Sequence, residues 1–276
     1  MIIDWFSKWS VYNPNKIAIK EQETDRTFSF QLLNDLANQV SHYFITKYAI
    51  GKGDRVAVLA ENCVEYILLF AAAQKLGFIL VPLNYRLSSA ELDYLLQDAD
   101  PKLLLLEKQF QEKIEQTAFS KTASHHFLLS ELLLNIQDQS KNSIKSSVIH
   151  PDDPIFILYT SGSTGFPKGA KYTHKMLFWN SINTSLSLVV NTESRAINCM
   201  PPFHTGGWNV LTTPFLHHGG YTCLMKKFDA LKLLQLIERE CPTILFGVPT
   251  MMKMMADLPD FEQTDFSSIL YAIVGG

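Results

Sequence analysis

Apolar and polar positions along the chain fall into two alternating patterns. Short runs rich in β-branched, aromatic and leucine residues recur at 17–20, 27–30, 55–60, 78–83, 102–107, 155–160, 196–200, 221–225, 243–248 and 269–274. Between many of them lie amphipathic stretches of helical length, at 31–48, 63–77, 172–189 and 229–240. Strands alternating with such helices predict βαβ units, and hence an α/β fold with mostly parallel sheets and helices on both faces. Several runs are apolar almost throughout, as strands covered on both sides are.

The longest apolar region, Val64 to Leu83, is interrupted by Glu65, Gln74 and Lys75 and shows helical spacing through Tyr66, Leu69, Phe70, Ala73 and Leu76. It predicts a half-buried helix followed by a strand, and no membrane span. One segment breaks the alternation. "NIQDQSKNSIKSSVIHPDDP", residues 135–154, is polar and reads as a surface connection between two lobes, about 1–150 and 151–276. No internal repeat is visible. The closing "ILYAIVGG" is a strand with two glycines and no helix to complete its unit, which reads as a chain cut short.

Composition narrows the function classes. With 276 residues, 47% of them apolar and 18% charged, the chain has the make-up of a globular protein with a large core. A net charge of -3 and the lack of any basic run give no reason to expect a nucleic-acid partner. Asp4 stands where a signal peptide needs its basic and apolar regions. Cys63, Cys199, Cys223 and Cys241 are scattered with no C-x-x-C pair, which argues against zinc and a disulfide framework and suits a reducing cytosol. Each is expected to be a small buried apolar residue.

The chemistry concentrates in "ILYTSGSTGFPKGAKYTH", residues 157–174. A strand at 155–160 entering a glycine- and hydroxyl-rich loop, Ser161 to Gly169, with a helix starting near Thr173, is a layout that cradles phosphate. Glycines let the backbone approach, amides point inward, and a helix dipole favours the anion. It is not a Walker loop. Counting from Gly162, Pro167 occupies the second glycine position and Gly169 the Ser/Thr position, and proline has no N–H to donate. The dinucleotide G-x-G-x-x-G fails as well, because Ser163 and Thr164 separate Gly162 from Gly165. A kinase-like NTPase is therefore disfavoured.

"YTSGSTGFPKG" resembles the phosphate-loop signature of the adenylate-forming (AMP-binding) superfamily, which includes acyl-CoA synthetases and acid–CoA ligases. Further stretches match in order: "TFSFQLLNDLANQVSHYF", "LGFILVPLNYRLSSAEL", "MPPFHTGGWNVLTTPFLHHGG", "ILFGVPTMM" and "AIVGG". The resemblance implies two stacked lobes of βαβ type, ending before the family's β-barrel subdomain and small C-terminal lid domain. It implies an adenylation, in which a carboxylate attacks the α-phosphorus of ATP, pyrophosphate leaves, and the acyl group passes to CoA. Thr160, Ser161, Gly162, Ser163, Thr164, Gly165 and Lys168 would hold the β- and γ-phosphates, with Mg2+ sharing the charge. Lys168 would take a catalytic part by neutralising charge, and His204 would lie by the carboxylate and α-phosphate.

Trp208, Gly275 and Gly276 are candidates for an acyl pocket, with Val210, Met251 and Met252 as further lining; the competing reading for the aromatic and methionine residues at helical spacing is plain core. A fatty or aromatic acid fits the histidine segment better than an amino acid. His217 and His218, at a helix end, read as structural, and Lys171 and Lys175 as surface charges. The partners implied are the acid, ATP and CoA, with no transmembrane segment; peripheral membrane contact is compatible. The family's adenine-contacting segment, ribose-binding aspartate and mobile catalytic lysine have no counterpart within these residues, so this chain by itself is expected to be inactive. The competing reading is a non-catalytic relic that binds a nucleotide or partner.

Overall fold

The computed structural model describes residues 1–122, 126–144, 148–160 and 166–275. The chain forms two compact units, residues 1–12, 31–61 and 65–178 in one and 13–30, 62–64 and 179–276 in the other. They interleave along the sequence, so the division does not fall near residue 150. The reason is strand pairing: an early strand joins the second sheet, and strands beyond 150 complete the first.

The strands are β1 (Ile17–Glu21), β2 (Thr27–Ser29), β3 (Arg55–Leu59), β4 (Ile79–Pro82), β5 (Leu103–Leu106), β6 (His126–Leu128), β7 (Pro154–Thr160), β8 (Lys168–Thr173), β9 (Arg195–Asn198), β10 (Tyr221–Leu224), β11 (Ile244–Gly247) and β12 (Tyr271–Val274). All ten apolar runs of the sequence become strands; β6 and β8 are additions. Each unit holds one six-stranded sheet, ordered β6-β5-β3-β4-β7-β8 in the first and β12-β11-β9-β10-β1-β2 in the second. Neighbours run parallel except for β7 with β8 and β1 with β2. Every residue of β4, β5, β10 and β11 is buried, as continuous apolar runs require.

The helices are α1 (Trp5–Tyr12), α2 (Phe30–Tyr48), α3 (Val64–Leu76), α4 (Ser89–Ala99), the short α5 (Gln111–Glu115), α6 (Phe119–Thr122) and α7 (Leu132–Ile136), then α8 (His174–Leu188), α9 (Thr205–Asn209), α10 (Thr213–His218), α11 (Ala230–Glu240) and α12 (Pro249–Ala256). In the first unit, α4 presents Leu92, Leu95, Leu96 and Ala99 to one face of the sheet. Ser88 and Glu91 form a reciprocal capping box that fixes where α4 starts. On α3, Phe70 stacks on Phe156 of β7 with ring centroids 5.7 Å apart.

Two expectations change here. Helix α3 is buried on every side and not by half: its polar residues meet partners distant in sequence instead of solvent, although Gln74 Nε2 is buried without one. Lys75 Nζ reaches Asp4 Oδ2 at 2.8 Å and Asn34 Oδ1 at 2.6 Å, and Gln74 Oε1 accepts from Trp5 N at 3.4 Å. The polar 135–154 segment belongs to the first unit and does not link two lobes. Buried Gln39 on α2 donates through Nε2 to the carbonyls of Ile136, Gln137 and Gln139, and Asn38 Nδ2 donates to that of Lys141. Cys63, Cys199 and Cys223 are buried, whereas Cys241 is exposed and caps α11 in the left-handed conformation at φ 47°.

His174, the first residue of α8, is 2% exposed. Burial lowers its pKa to about 4, against an opposing pull from the Asp153 carboxylate. The imidazole is thus neutral in the folded chain and takes a proton more readily when unfolded. Its contribution is complete above pH 6.5 and is lost as the pH falls toward 4, a difference of about 3 kcal/mol. Thermal melts across pH 4–6.5 should therefore show a decline that His174→Gln flattens; an unchanged slope in the variant would assign the decline to other groups.

Candidate active site

Of the phosphate-loop residues, Thr160 and Lys168 are described, while Ser161, Gly162, Ser163, Thr164 and Gly165 lie outside the described residues. Thr160 ends β7 and Lys168 begins β8, and the two are direct partners in an antiparallel register. Directly paired residues share a face of the sheet, with Cβ atoms about 5 Å apart. Thr160 and Lys168 therefore stand side by side at the end of the hairpin, both exposed.

The opposite face of the hairpin lies against α4. Tyr159 Oη donates to Asp98 Oδ2 at 2.6 Å, and Ile157 and Tyr159 pack on the α4 core. Burial, then the Asp98 carboxylate, raise the Tyr159 phenol above its ordinary pKa, so the hydroxyl stays a donor. Gly169 lies beneath these side chains. A Cβ there would come within 2.7 Å of Ile157 Cγ2 and 3.3 Å of Tyr159 Cζ, so this glycine serves strand packing.

The helix begins after Thr173 as expected, but a strand stands between the loop and that helix. Residues 168–173 are a strand, and α8 begins only at His174, with Thr173 Oγ1 accepting from Met176 N at 3.2 Å. Six residues of β8 extend about 20 Å, while a helix dipole acts within about one turn of its end. The N-terminus of α8 is thus separated from the start of β8 by the length of that strand.

In the second unit, β9 runs into the turn 199–204. His204 is the N-cap of α9, exposed, with its ring 4.6 Å from that of Phe203. The turn is braced from beneath by Asn198, which is 1% exposed. Its Nδ2 donates to Gly207 O at 2.9 Å and Thr212 Oγ1 at 2.7 Å, and its Oδ1 accepts from Met200 N at 3.0 Å. Asn62 Nδ2 donates to Met200 O and Met225 O. Neither asparagine stands out in the sequence; the only signal is a buried-type strand, "RAIN", ending in an amide.

Trp208 is 2% exposed and its Nε1 donates to Pro202 O at 2.7 Å, so it supports the turn from within the core. Gly275 and Gly206 approach opposite edges of the Phe246 ring, where added Cβ atoms would lie 4.0 and 3.7 Å away. Gly276 lies outside the described residues. Met251 is in the core and Met252 packs on it. His217 Nδ1 lies 2.8 Å from Ser181 Oγ, a structural contact, and Lys175 pairs with Asp152 at 3.7 Å. Among the described residues no group of three or more His, Cys, Asp or Glu side chains is placed to hold a metal, and no helix is long and apolar enough to cross a membrane.

Gly207 has no room for a side chain, since a Cβ would fall 2.4 Å from Pro201 O. Gly207→Ala should thus cost about 1–3 kcal/mol in denaturant unfolding, whereas Gly206→Ala should be nearly neutral. Equal effects would mean that the turn adjusts freely.

Residues 6–276 match the AMP-binding enzyme family model. The chain is 30% identical over 274 residues to a feruloyl-CoA synthase of Amycolatopsis sp, covering 99% of this chain and 53% of that one. It is 31% identical over 286 residues to an indoleacetate–CoA ligase of Aromatoleum aromaticum, covering 99% and 54%. It is 31% identical over 269 residues to the long-chain-fatty-acid–CoA ligase FadD13 of Mycobacterium tuberculosis, covering 96% and 53%. The chain thus spans about half the length of these curated relatives. Among solved structures, the inhibitor-bound N-terminal domain of FACL13 from Mycobacterium tuberculosis superposes with a TM-score of 0.89 at 29% identity, covering 100% of this chain and 69% of that one. ATP-bound MatB from Rhodopseudomonas palustris gives 0.88 at 28%, covering 100% and 55%. With its mixed α/β fold of two mostly parallel sheets and a match over nearly its whole length, the chain belongs to the AMP-binding enzyme family, and the relatives named are acid–CoA synthetases and ligases.

Proposed function

We propose that these residues are the phosphate- and acid-binding part of an acid–CoA ligase that activates a fatty or aromatic acid with ATP. The observation that carries this reading is the pairing of Thr160 with Lys168 at the end of a hairpin whose connecting residues spell the phosphate-loop signature. The acid carboxylate attacks the α-phosphorus of ATP, a new P–O bond forms, and the bond to the β-phosphate oxygen breaks to release pyrophosphate. The thiol of CoA then displaces AMP from the acyl-adenylate. Charge accumulates on the leaving pyrophosphate, and Lys168 is assigned to neutralise it while Thr160 donates a hydroxyl hydrogen bond. His204, held exposed at the N-cap of α9, is assigned to orient the carboxylate near the α-phosphate.

Mg2+ would share the phosphate charge; the described residues offer no ligand set for it, and we assign it none. For the acid we propose an apolar surface along Phe246 and Gly275, with Met252 beside it and Trp208 fixing the turn. The feruloyl, indoleacetate and long-chain fatty acid named for the relatives support an aromatic or fatty substrate.

In the full-length gene product, Lys168→Ala should slow ATP–pyrophosphate exchange by an amount worth about 2–4 kcal/mol. Exchange at the wild-type rate would remove the phosphate role. His204→Ala should depress adenylate formation or raise KM for the acid while leaving ATP affinity nearly intact. A variant that loses ATP binding yet retains normal chemistry would refute the carboxylate assignment.

A further inference from the structure

Helix α4 touches the phosphate-loop hairpin at two points that the mechanism above does not use. Asp98 takes the Tyr159 hydroxyl from β7 at 2.6 Å. One helical turn earlier, Tyr94 reaches the residues that enter β8. Its ring lies 5.5 Å from that of Phe166, tilted by 37°, and its hydroxyl donates to Pro167 O at 3.5 Å. Residues four apart on a helix share a face, so Tyr94 and Asp98 form one edge of α4 that meets both sides of the hairpin. Phe166 is 64% exposed, and an apolar ring that open to solvent has little reason to hold a fixed place except through its contact with Tyr94.

We infer that Tyr94 is a positioning residue for the phosphate site: by holding Phe166 and Pro167 against α4, it fixes where Lys168 begins β8 and so where its ammonium meets the phosphates. This role for Tyr94 rests on the phosphate role of Lys168 proposed above. The geometry gives the anchor a direction. Tyr159 and the Tyr94 contacts hold the hairpin from the α4 side, while Lys168 pairs with Thr160 on the opposite face of the strands. The anchor can therefore hold the lysine without competing for its charge.

The test compares Tyr94→Ala, Tyr94→Phe, Phe166→Ala, the Tyr94→Ala/Phe166→Ala double variant and Lys168→Ala in the full-length gene product, by ATP–pyrophosphate exchange and thermal melting. Tyr94→Ala should raise KM for ATP about threefold to tenfold, the range of an aromatic pair, with KM for the acid and Tm nearly unchanged. Tyr94→Phe should recover most of the loss. The double variant should be no worse than either single one, because both remove the same contact. Additive losses, a fall in Tm that accounts for the change, or an unaltered KM for ATP beside an impaired Lys168→Ala would each overturn the anchor. If Lys168→Ala is itself unimpaired, the phosphate reading fails and the anchor with it, a distinct result. A second measurement uses the 276 residues alone. Trypsin cleavage after Lys168 should quicken in Tyr94→Ala while cleavage after the exposed Lys253 does not; equal rates at both sites would refute the anchor independently of activity.

Discussion

The antiparallel pairing of β8 on β7 is the contact from which the proposed phosphate site takes its geometry. Every other neighbour of β7 in its sheet runs parallel, and a parallel continuation would have carried the chain away through a long crossover. Folding straight back instead brings Thr160 opposite Lys168, aligns Gly169 with Tyr159, and leaves β8 as an exposed edge. The lysine needs no burial to be placed: its ladder pairing with Thr160 sets its backbone. That matters for electrostatics, because an exposed ammonium is screened by water, and in the proposed role its full effect would be felt only once a bound phosphate excludes that water.

The second unit solves a similar problem with a buried amide. The turn after β9 has prolines at 201 and 202 that remove two backbone donors, and glycines at 206 and 207 that admit close approach. Asn198 supplies both donors and an acceptor at the centre of this turn, where water is excluded and an unmet carbonyl would cost about 1–3 kcal/mol. The exposed His204 is thus carried on a turn whose interior is dry and fully hydrogen-bonded at Asn198.

What the sequence reveals follows from which forces are local. Strands buried on both faces, as β4, β5, β10 and β11 are, announce themselves through continuous apolar runs, and six partly exposed strands were legible beside them. Strand β8, "KGAKYT", was not, because its pattern of exposure comes from lying at a sheet edge and its stability from pairing with β7. A motif-based reading takes 161–169 as a loop and the helix as starting near Thr173, and so passes over the strand between them. The charged and amide residues of α3 misled for a related reason. Lys75 and Gln74 look solvated until Asp4, Asn34 and the Trp5 amide, distant in sequence, are brought to them. The 135–154 segment shows the same limit from the other side: its polar look is real, but its backbone is claimed by Asn38 and Gln39 of α2.

The glycines show how far a signature can be read as chemistry. In "TSGSTGFPKG" each glycine invites a phosphate role, yet Gly169 is fixed by the side chains of Ile157 and Tyr159, which leave it no space for a Cβ. Its absence of a side chain serves the hairpin, and only through the hairpin does it serve Lys168. The same holds for Gly207, whose closest neighbour is a backbone carbonyl. Residues shared across a motif therefore divide into those that would touch the ligand and those that shape the backbone beneath it. Only packing distances separate the two, which is why the motif names a reaction class more readily than it names the atoms that perform it.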